Sequence, residues 1–138
     1  YLAHTSRHEA VKTTIDGKVL WTIGWPEQAG IYQKDSEYNP TAIAVAPDGR
    51  HVYASNRGHN SIAVFTLDDS GTPALIQNIP SGGRTPRSFA IDPTGTFLLA
   101  AHQDSDNITV FKIDASSGKL SQTGGEVKVP AAVCVLFQ

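Results

Sequence analysis

Residues 42–70, AIAVAPDGRHVYASNRGHNSIAVFTLDDS, decide the fold, because residues 88–116, SFAIDPTGTFLLAAHQDSDNITVFKIDAS, repeat them without a gap. The two stretches align at an offset of 46 residues. Identical aligned residues include Ala44 and Ala90, Pro47 and Pro93, Gly49 and Gly95, Ala54 and Ala100, Ile62 and Ile108, Val64 and Val110, Phe65 and Phe111, and Asp68 and Asp114. Repetition at one fixed period predicts an array of similar structural units.

Each repeat has the pattern of four short strands. In the first repeat, Ala42–Ala46 stops at Pro47-Asp48-Gly49, whose proline and glycine suit a tight turn. The strands predicted in the two repeats are 42–46, 51–56, 61–67 and 74–79, then 88–91, 97–101, 107–113 and a fourth near Leu120 or Val127. No segment has a sustained helical period, so the chain is predicted to be all-β. A period of about 45 residues with four strands is typical of β-propeller blades.

The two ends of the chain supply further strands. Residues 2–5, 10–15 and 19–23 predict the second, third and fourth strands of a blade, and Ala132–Phe137 predicts a first strand with nothing behind it. The prediction is twelve strands, or about three blades, which cannot close a ring alone. We therefore expect a homodimer that closes as a six-bladed propeller, in which the closing strand of each copy completes the first blade of the other.

This interpretation divides the chain into parts of a single propeller fragment. Residues 1–40 form a partial blade and a loop, residues 41–86 and 87–130 form two blades, and residues 131–138 form the closing strand.

Composition and charge exclude several classes of partner. The 138 residues are 40% hydrophobic and 17% charged, which is typical of a globular domain. The net charge of −2 gives no electrostatic basis for binding nucleic acid or an anionic membrane. The apolar runs are too short to span a bilayer. The single cysteine, Cys134, has no internal disulfide partner, and we expect it to be a buried, inert thiol.

Several short motifs carry a resemblance to a known family. They are APDGR at residues 46–50, YASNRG at 53–58, TPRSF at 85–89, DPTG at 92–95, and the ending at 127–137. Together they resemble the C-terminal blades of the lactonase family of seven-bladed β-propellers, which includes 6-phosphogluconolactonases and carboxy-muconate cyclases. The resemblance covers about residues 41–138. It implies a propeller fold, a lactone substrate and, if the chain follows bacterial lactonases, a cytoplasmic location.

Residues 1–40 resemble a different group. HTSRH at residues 4–8 and DGKVLWTIG at residues 16–24 are similar to NHL-type six-bladed propellers. The two resemblances predict a chimera, natural or engineered, joined near Asn39-Pro40-Thr41.

Candidate ligand-binding residues follow from propeller topology. Loops from second to third strands, and from fourth to first strands, open on the face that surrounds the central channel. The candidates there are Asn56, Arg57, His59, Arg87 and His102. Arg57 and Arg87 lie in motifs that resemble the lactonase family, and an arginine fork matches phosphate or carboxylate oxygens. The histidines are interpreted as exposed loop residues, and His102 stands where the family more often has an amide.

Three functions remain open at this stage. The first is a recombined structural assembly without native catalysis that keeps an axial anion-binding channel. The second is a lactonase-like hydrolase of a phosphorylated sugar lactone, and the third is a non-catalytic binding module. The acid or base that lactone opening requires is unassigned. We expect no cofactor and no metal site, since His4 and His8 are separated by a strand and loop.

Overall fold

The computed structural model describes residues 2–4, 9–13, 19–24 and 38–137, and it describes the side chains of residues 41–137. The described residues form eleven strands. They are β1 (Leu2–His4), β2 (Glu9–Thr13), β3 (Val19–Gly24), β4 (Tyr38–Val45), β5 (His51–Gly58), β6 (Ser61–Leu67), β7 (Pro73–Pro80), β8 (Pro86–Ile91), β9 (Phe97–His102), β10 (Asn107–Ile113) and β11 (Leu120–Lys128). Within these residues there is no helix long and apolar enough to cross a membrane.

The strands form three antiparallel sheets. Strands β4 to β7 make one four-stranded sheet in chain order, and β8 to β11 make a second. We call these sheets blade 2 and blade 3. Strands β1, β2 and β3 make a three-stranded sheet, blade 1, in which β1 lies at an edge. The predicted all-β fold and the predicted blade strands are therefore confirmed for these residues, while the Asp16-Gly17 turn lies outside the described residues.

Matching turns join the first two strands of blades 2 and 3. Gly49 has φ +70° and Gly95 has φ +72°, a backbone conformation that glycine adopts without steric cost. In blade 2 the carboxylate of Asp48 accepts the Arg50 amide at 2.8 Å, and in blade 3 the carboxylate of Asp92 accepts the Thr96 amide at 2.8 Å. The two repeats thus use the same turn but place the bracing aspartate at different positions.

Blades 2 and 3 share a continuous apolar core. Its buried residues come from facing sides of the two sheets and are Ala46, Tyr53, Ile62, Val64, Phe89, Leu98, Ala100, Phe111, Ile113 and Leu120. Polar bridges border it: the Tyr53 hydroxyl donates to the Gly118 carbonyl at 2.8 Å. The side-chain Nε2 of Gln77 donates to the Leu120 carbonyl at 2.9 Å, and its Oε1 accepts the Leu120 backbone amide at 2.7 Å. These contacts fix blade 2 against blade 3 and so set the relative position of the loops that connect their strands.

Two predictions concern the chain end. Residues 132–137 are not part of a strand in the single chain, and their predicted pairing with a second copy stays a prediction. Cys134 was expected to be buried, and this is wrong for the single chain, because it lies in this unpaired segment and is exposed. Leu136, in the same segment, is 82% exposed.

Candidate anion-binding site

The predicted convergence of loops at one end of the blades is present between blades 2 and 3. The linker at residues 81–85 joins β7 to β8 and lies against the hairpins that follow β5 and β9. The Ser81 amide donates to the Asn60 carbonyl at 2.9 Å, and the Gln103 amide donates to the Thr85 carbonyl at 3.0 Å. Residues 5–8 and 25–37, which by the same strand order join second to third and fourth to first strands, lie outside the described residues.

Arg57 lies near the end of β5, where it pairs with Asn39 of β4, and it is half-buried. Because successive residues of a strand alternate between faces, Arg57 shares a face with Ser55 and Tyr53. Tyr53 belongs to the core shared with blade 3, so this face is directed at blade 3. Arg57 is therefore directed toward the neighbouring blade.

A hydroxyl bridge joins the inner strands of the two blades beside Arg57. The Thr41 hydroxyl donates to the Pro86 carbonyl at 2.5 Å and lies 3.0 Å from the Ser55 hydroxyl. Since the Thr41 proton is directed to Pro86, the Ser55 hydroxyl is the donor to Thr41. The bridge fixes Ser55, two residues before Arg57, close to Pro86, one residue before Arg87.

Arg87 occupies a β-bulge. The register of β8 and β9 shifts between Pro86 and Ser88, which leaves Arg87 without a paired residue. The register of β4 and β5 shifts in the same way around Thr41, at the equivalent position of the repeat. Bulges redirect side chains and are frequent beside functional sites. The Arg87 guanidinium is exposed, and its Nη1 donates to Gln103 Oε1 at 3.2 Å.

Within residues 41–137, neither arginine is neutralised by a carboxylate. The ion pairs among these residues are His51 with Asp48 and Lys128 with Glu126. The partner of Arg87 is an uncharged amide, and among the described side chains none accepts a hydrogen bond from Arg57. In this part of the chain, both guanidinium groups therefore keep donors that no carboxylate occupies, as binding of an anion would require.

The other predicted site residues differ in exposure. His59 is exposed, and its Nδ1 lies 2.8 Å from the Ser61 hydroxyl. Asn56 is fully buried, with its Nδ2 donating to the same hydroxyl at 3.1 Å and its Oδ1 without a partner. His59 is therefore accessible to a ligand, whereas Asn56 braces the hairpin that carries Arg57.

His102 is fully buried, so its interpretation as an exposed loop histidine is wrong. Strand β9 continues through His102, which pairs with Pro86 on one side and Asn107 on the other. Its Nδ1 lies 3.3 Å from the Asn107 carbonyl, and its Nε2 has no partner of good geometry. Gly83 closes over the ring so tightly that a Cβ there would come within 2.4 Å of the imidazole.

Burial lowers the pKa of His102 below the usual 6.5, and the nearby carbonyls of Asn107 and Ser81 and the charge of Glu126 only partly oppose this. A histidine with a lowered folded-state pKa stabilises the fold fully above 6.5 and loses that contribution as the pH falls below it, because the unfolded chain binds the proton more readily. Lowered pKa values are also found for Asp48, Asp68, Asp92 and Asp114. Their contribution to stability is lost only as the pH falls below 3.8, well below the range in which His102 titrates.

We expect His102→Asn to remove part of the loss of stability on acidification. Asparagine is the residue at the equivalent position of blade 2, Asn56, and it has no proton to gain in this range. Urea unfolding between about pH 7.5 and about pH 5 should show a shallower pH dependence in the variant, by at most about one proton. Identical slopes in the variant and the parent chain would contradict the assignment.

Among the described residues, no group of three His, Cys, Asp or Glu side chains could hold a metal ion.

The sequence did not indicate Thr41, Ser55 or Asn60, which hold the chain beside the two arginines. The sequence held one signal for Thr41: at the offset of 46 residues it aligns with Arg87, so it occupies the equivalent position of blade 2.

Repeated four-stranded antiparallel blades that share a core and gather their loops at one end define a β-propeller. Residues 11–137 match the family described as lactonase, seven-bladed β-propeller. The chain belongs to this family.

Individual relatives agree with this assignment. The 6-phosphogluconolactonase of Bacillus subtilis (strain 168) is 43% identical over 98 residues, which are 70% of this chain and 28% of the relative. The 6-phosphogluconolactonase of Formosa agariphila is 45% identical over 100 residues, with the same coverage. A crystal structure from Bacteroides uniformis superposes with a TM-score of 0.83 at 31% identity, over 97% of this chain and 38% of that one. The chain thus spans just over a quarter of the length of these two enzymes.

The family match also bears on the predicted chimera. It begins at residue 11 and passes through the predicted junction near Asn39-Pro40-Thr41. It therefore gives no support to an NHL-type origin for residues 1–40.

Proposed function

We propose that this chain supplies an anion-binding wall of a lactone-hydrolysing propeller, in which Arg57 and Arg87 bind the phosphate oxygens and the lactone carbonyl oxygen of a phosphorylated sugar lactone. The observation that carries the proposal is the pair of arginines on adjoining blades, fixed by the bridge from Ser55 through Thr41 to Pro86. The names of the Bacillus and Formosa relatives support this substrate class. This function is favoured over a purely structural assembly.

The chemistry of lactone opening gives an arginine two possible tasks. Water attacks the ring carbonyl, its oxygen takes on negative charge, and the ring oxygen leaves with a proton. A guanidinium can orient the substrate by its phosphate or stabilise the developing oxyanion, and both tasks require a preorganised charge. Arg57 is half-buried and directed at the next blade, which suits the more enclosed end of a ligand, while the exposed Arg87 suits the phosphate end.

Catalysis also needs a group that moves protons within about 3 Å of the reacting oxygens. His102 is excluded from direct contact by its burial. His59 is exposed on the hairpin after Arg57 and can take part in binding. We assign it no proton transfer, and no described residue is assigned the role of acid or base.

The proposal is tested by binding of 6-phosphogluconate, the hydrolysis product, to the 138-residue chain. Calorimetric titrations with 6-phosphogluconate, gluconate and inorganic phosphate at equal ionic strength should rank 6-phosphogluconate first, because it presents both anionic groups. Weak binding of all three that disappears at about 0.15 M salt would indicate unspecific charge attraction and overturn the proposal. Hydrolysis of 6-phosphogluconolactone, measured against its spontaneous rate, determines whether this part of the enzyme also turns over substrate.

A further inference from the structure

We propose that Asn60 is a positioning residue for the anion site, acting through Thr85 to fix the direction of Arg87. This inference rests on the proposed function, because it assigns how one arm of that site is held. Asn60 lies in the hairpin of blade 2, whereas Arg87 belongs to blade 3. The connection therefore crosses the boundary between two blades.

Asn60 clamps the linker between the blades at two points. Its backbone carbonyl accepts the Ser81 amide at 2.9 Å and the Ser81 hydroxyl at 3.0 Å. Its side-chain Oδ1 accepts the Thr85 amide at 2.8 Å. Asn60 itself has φ +55°, a conformation that asparagine and aspartate adopt more readily than most residues. We call this arrangement the linker clamp.

The same clamp recurs one blade further on. Asp106 has φ +54°, its carbonyl accepts the Val129 amide at 2.9 Å, and its Oδ1 accepts the Ala131 amide at 2.7 Å. Asp106 and Ala131 lie 46 residues after Asn60 and Thr85. Because one position is an amide and the other a carboxylate, the shared requirement is an acceptor oxygen at the correct distance.

The residue that the clamp holds is strained. Thr85 has φ +57°, an unusual conformation for a β-branched side chain. Blade 3 holds Thr85 from the opposite side, since its hydroxyl donates to Asp104 Oδ2 at 2.5 Å. A residue with such a conformation persists where its surroundings over-determine it.

The strained residue sets the path of the chain into the bulge. Thr85 is followed by Pro86, whose φ is fixed by its ring and whose carbonyl accepts the Thr41 hydroxyl. Arg87 comes next and is anchored laterally through Gln103. If Thr85 relaxed toward negative φ, Pro86 and Arg87 would leave the geometry that the bridge and Gln103 define. The clamp therefore acts on the direction of a charged group as well as on stability.

The central test removes the clamp without adding strain at position 60. Asn60→Gly tolerates positive φ and deletes the acceptor oxygen, and we expect it to weaken 6-phosphogluconate binding at least about fivefold. Asn60→Asp keeps the acceptor, as Asp106 does, and should bind within about twofold of the parent chain. Adding Thr85→Gly to Asn60→Gly should restore affinity, because glycine adopts positive φ without steric cost and so does not need the clamp to keep this conformation.

The equivalent clamp of blade 3 provides a matched control. Asp106→Asn and Asp106→Gly remove the same charge and differ only in the acceptor for the Ala131 amide. The residue two positions beyond that clamp is Val133, which carries no charge. We expect Asp106→Gly to lower the melting temperature relative to Asp106→Asn and to leave the affinity unchanged.

The outcomes separate this inference from the proposed function. If Arg87→Ala leaves 6-phosphogluconate binding unchanged, the role of Arg87 in the proposed function fails. If Arg87→Ala weakens binding and a folded Asn60→Gly does not, the positioning role is overturned. Equal losses of affinity in Asn60→Gly and Asp106→Gly would also overturn it, because they would indicate general loosening. If Asn60→Gly does not fold, the comparison of Asn60→Gly/Thr85→Gly with Asn60→Asp decides, and a large difference in affinity between these two overturns the inference.

Discussion

Replacing Arg57 with alanine should weaken the binding of 6-phosphogluconate by roughly 10- to 100-fold. Hydrogen bonds to charged groups contribute about 1.5–3 kcal/mol, and about 1.4 kcal/mol corresponds to a factor of ten in the dissociation constant. Arg57 is half-buried between two blades, so water replaces its contacts with the ligand poorly. Calorimetric titration of the parent chain and of Arg57→Ala at equal ionic strength measures the effect.

A second arginine provides the control for charge alone. Arg50 is exposed in the turn between β4 and β5, at the opposite end of the blade from Arg57, and only its backbone amide bonds Asp48. Arg50→Ala removes the same charge and should change the affinity by less than about twofold. The loss of affinity in Arg57→Lys should lie between those of Arg50→Ala and Arg57→Ala, because lysine keeps the charge and loses the two-point geometry. Equal effects of Arg50→Ala and Arg57→Ala would reject a specific role for Arg57.

Much of the fold could be predicted from sequence because the repeat and the turns are local signals. Pro47 and Gly49 lie within a few residues of the bend they form, and the same spacing at Pro93 and Gly95 gives two blades from one pattern. The packing of the linker at residues 81–85 against the hairpins after β5 and β9 also followed, since propeller topology brings these loops together. These predictions needed only the turn preferences of neighbouring residues and the known order of strands in a blade.

The support of the site could not be predicted, because it depends on contacts between distant residues. The hydroxyl of Thr41 reaches a carbonyl 45 residues away, and the side chain of Asn60 reaches an amide 25 residues away. Neither threonine nor asparagine in a loop signals such a partner. The burial of His102 was missed for a related reason: β9 extends one residue further than its apolar pattern, and Gly83 from the linker covers the ring.

The predicted pairing of two copies has not been tested, but the path of the chain end supports it. The linker clamp of Asp106 holds Ala131 at φ +48°, as Asn60 holds Thr85 before β8. Ala132, the equivalent of Pro86, is buried like its counterpart. The chain therefore leaves blade 3 at Ala131 and Ala132 as it enters β8 at Thr85 and Pro86, and among the described residues β1 is an edge strand of a three-stranded sheet.

The repeat fixes the register in which these two edges would meet. Ser88 of β8 pairs with Ala101, which precedes the hairpin pair of His102 and Asn107. Cys134 lies 46 residues after Ser88, and Ala3 likewise precedes the hairpin pair of His4 and Glu9. Cys134 of one copy should therefore lie opposite residue 3 of the other copy.

We expect Ala3→Cys to give a covalent dimer under mild oxidation, through disulfides between residue 3 of one copy and Cys134 of the other. Directly opposed residues of antiparallel strands have Cα atoms about 4.5–5.5 Å apart, within the range a disulfide accepts. Non-reducing electrophoresis and peptide mass mapping identify the bond, with Leu2→Cys as the control one residue out of register. The parent chain, whose one cysteine is Cys134, serves as the control for disulfides between the Cys134 residues of two copies. A monomer in light scattering, a disulfide within one chain, or equal cross-linking of Leu2→Cys would each reject the two-copy ring.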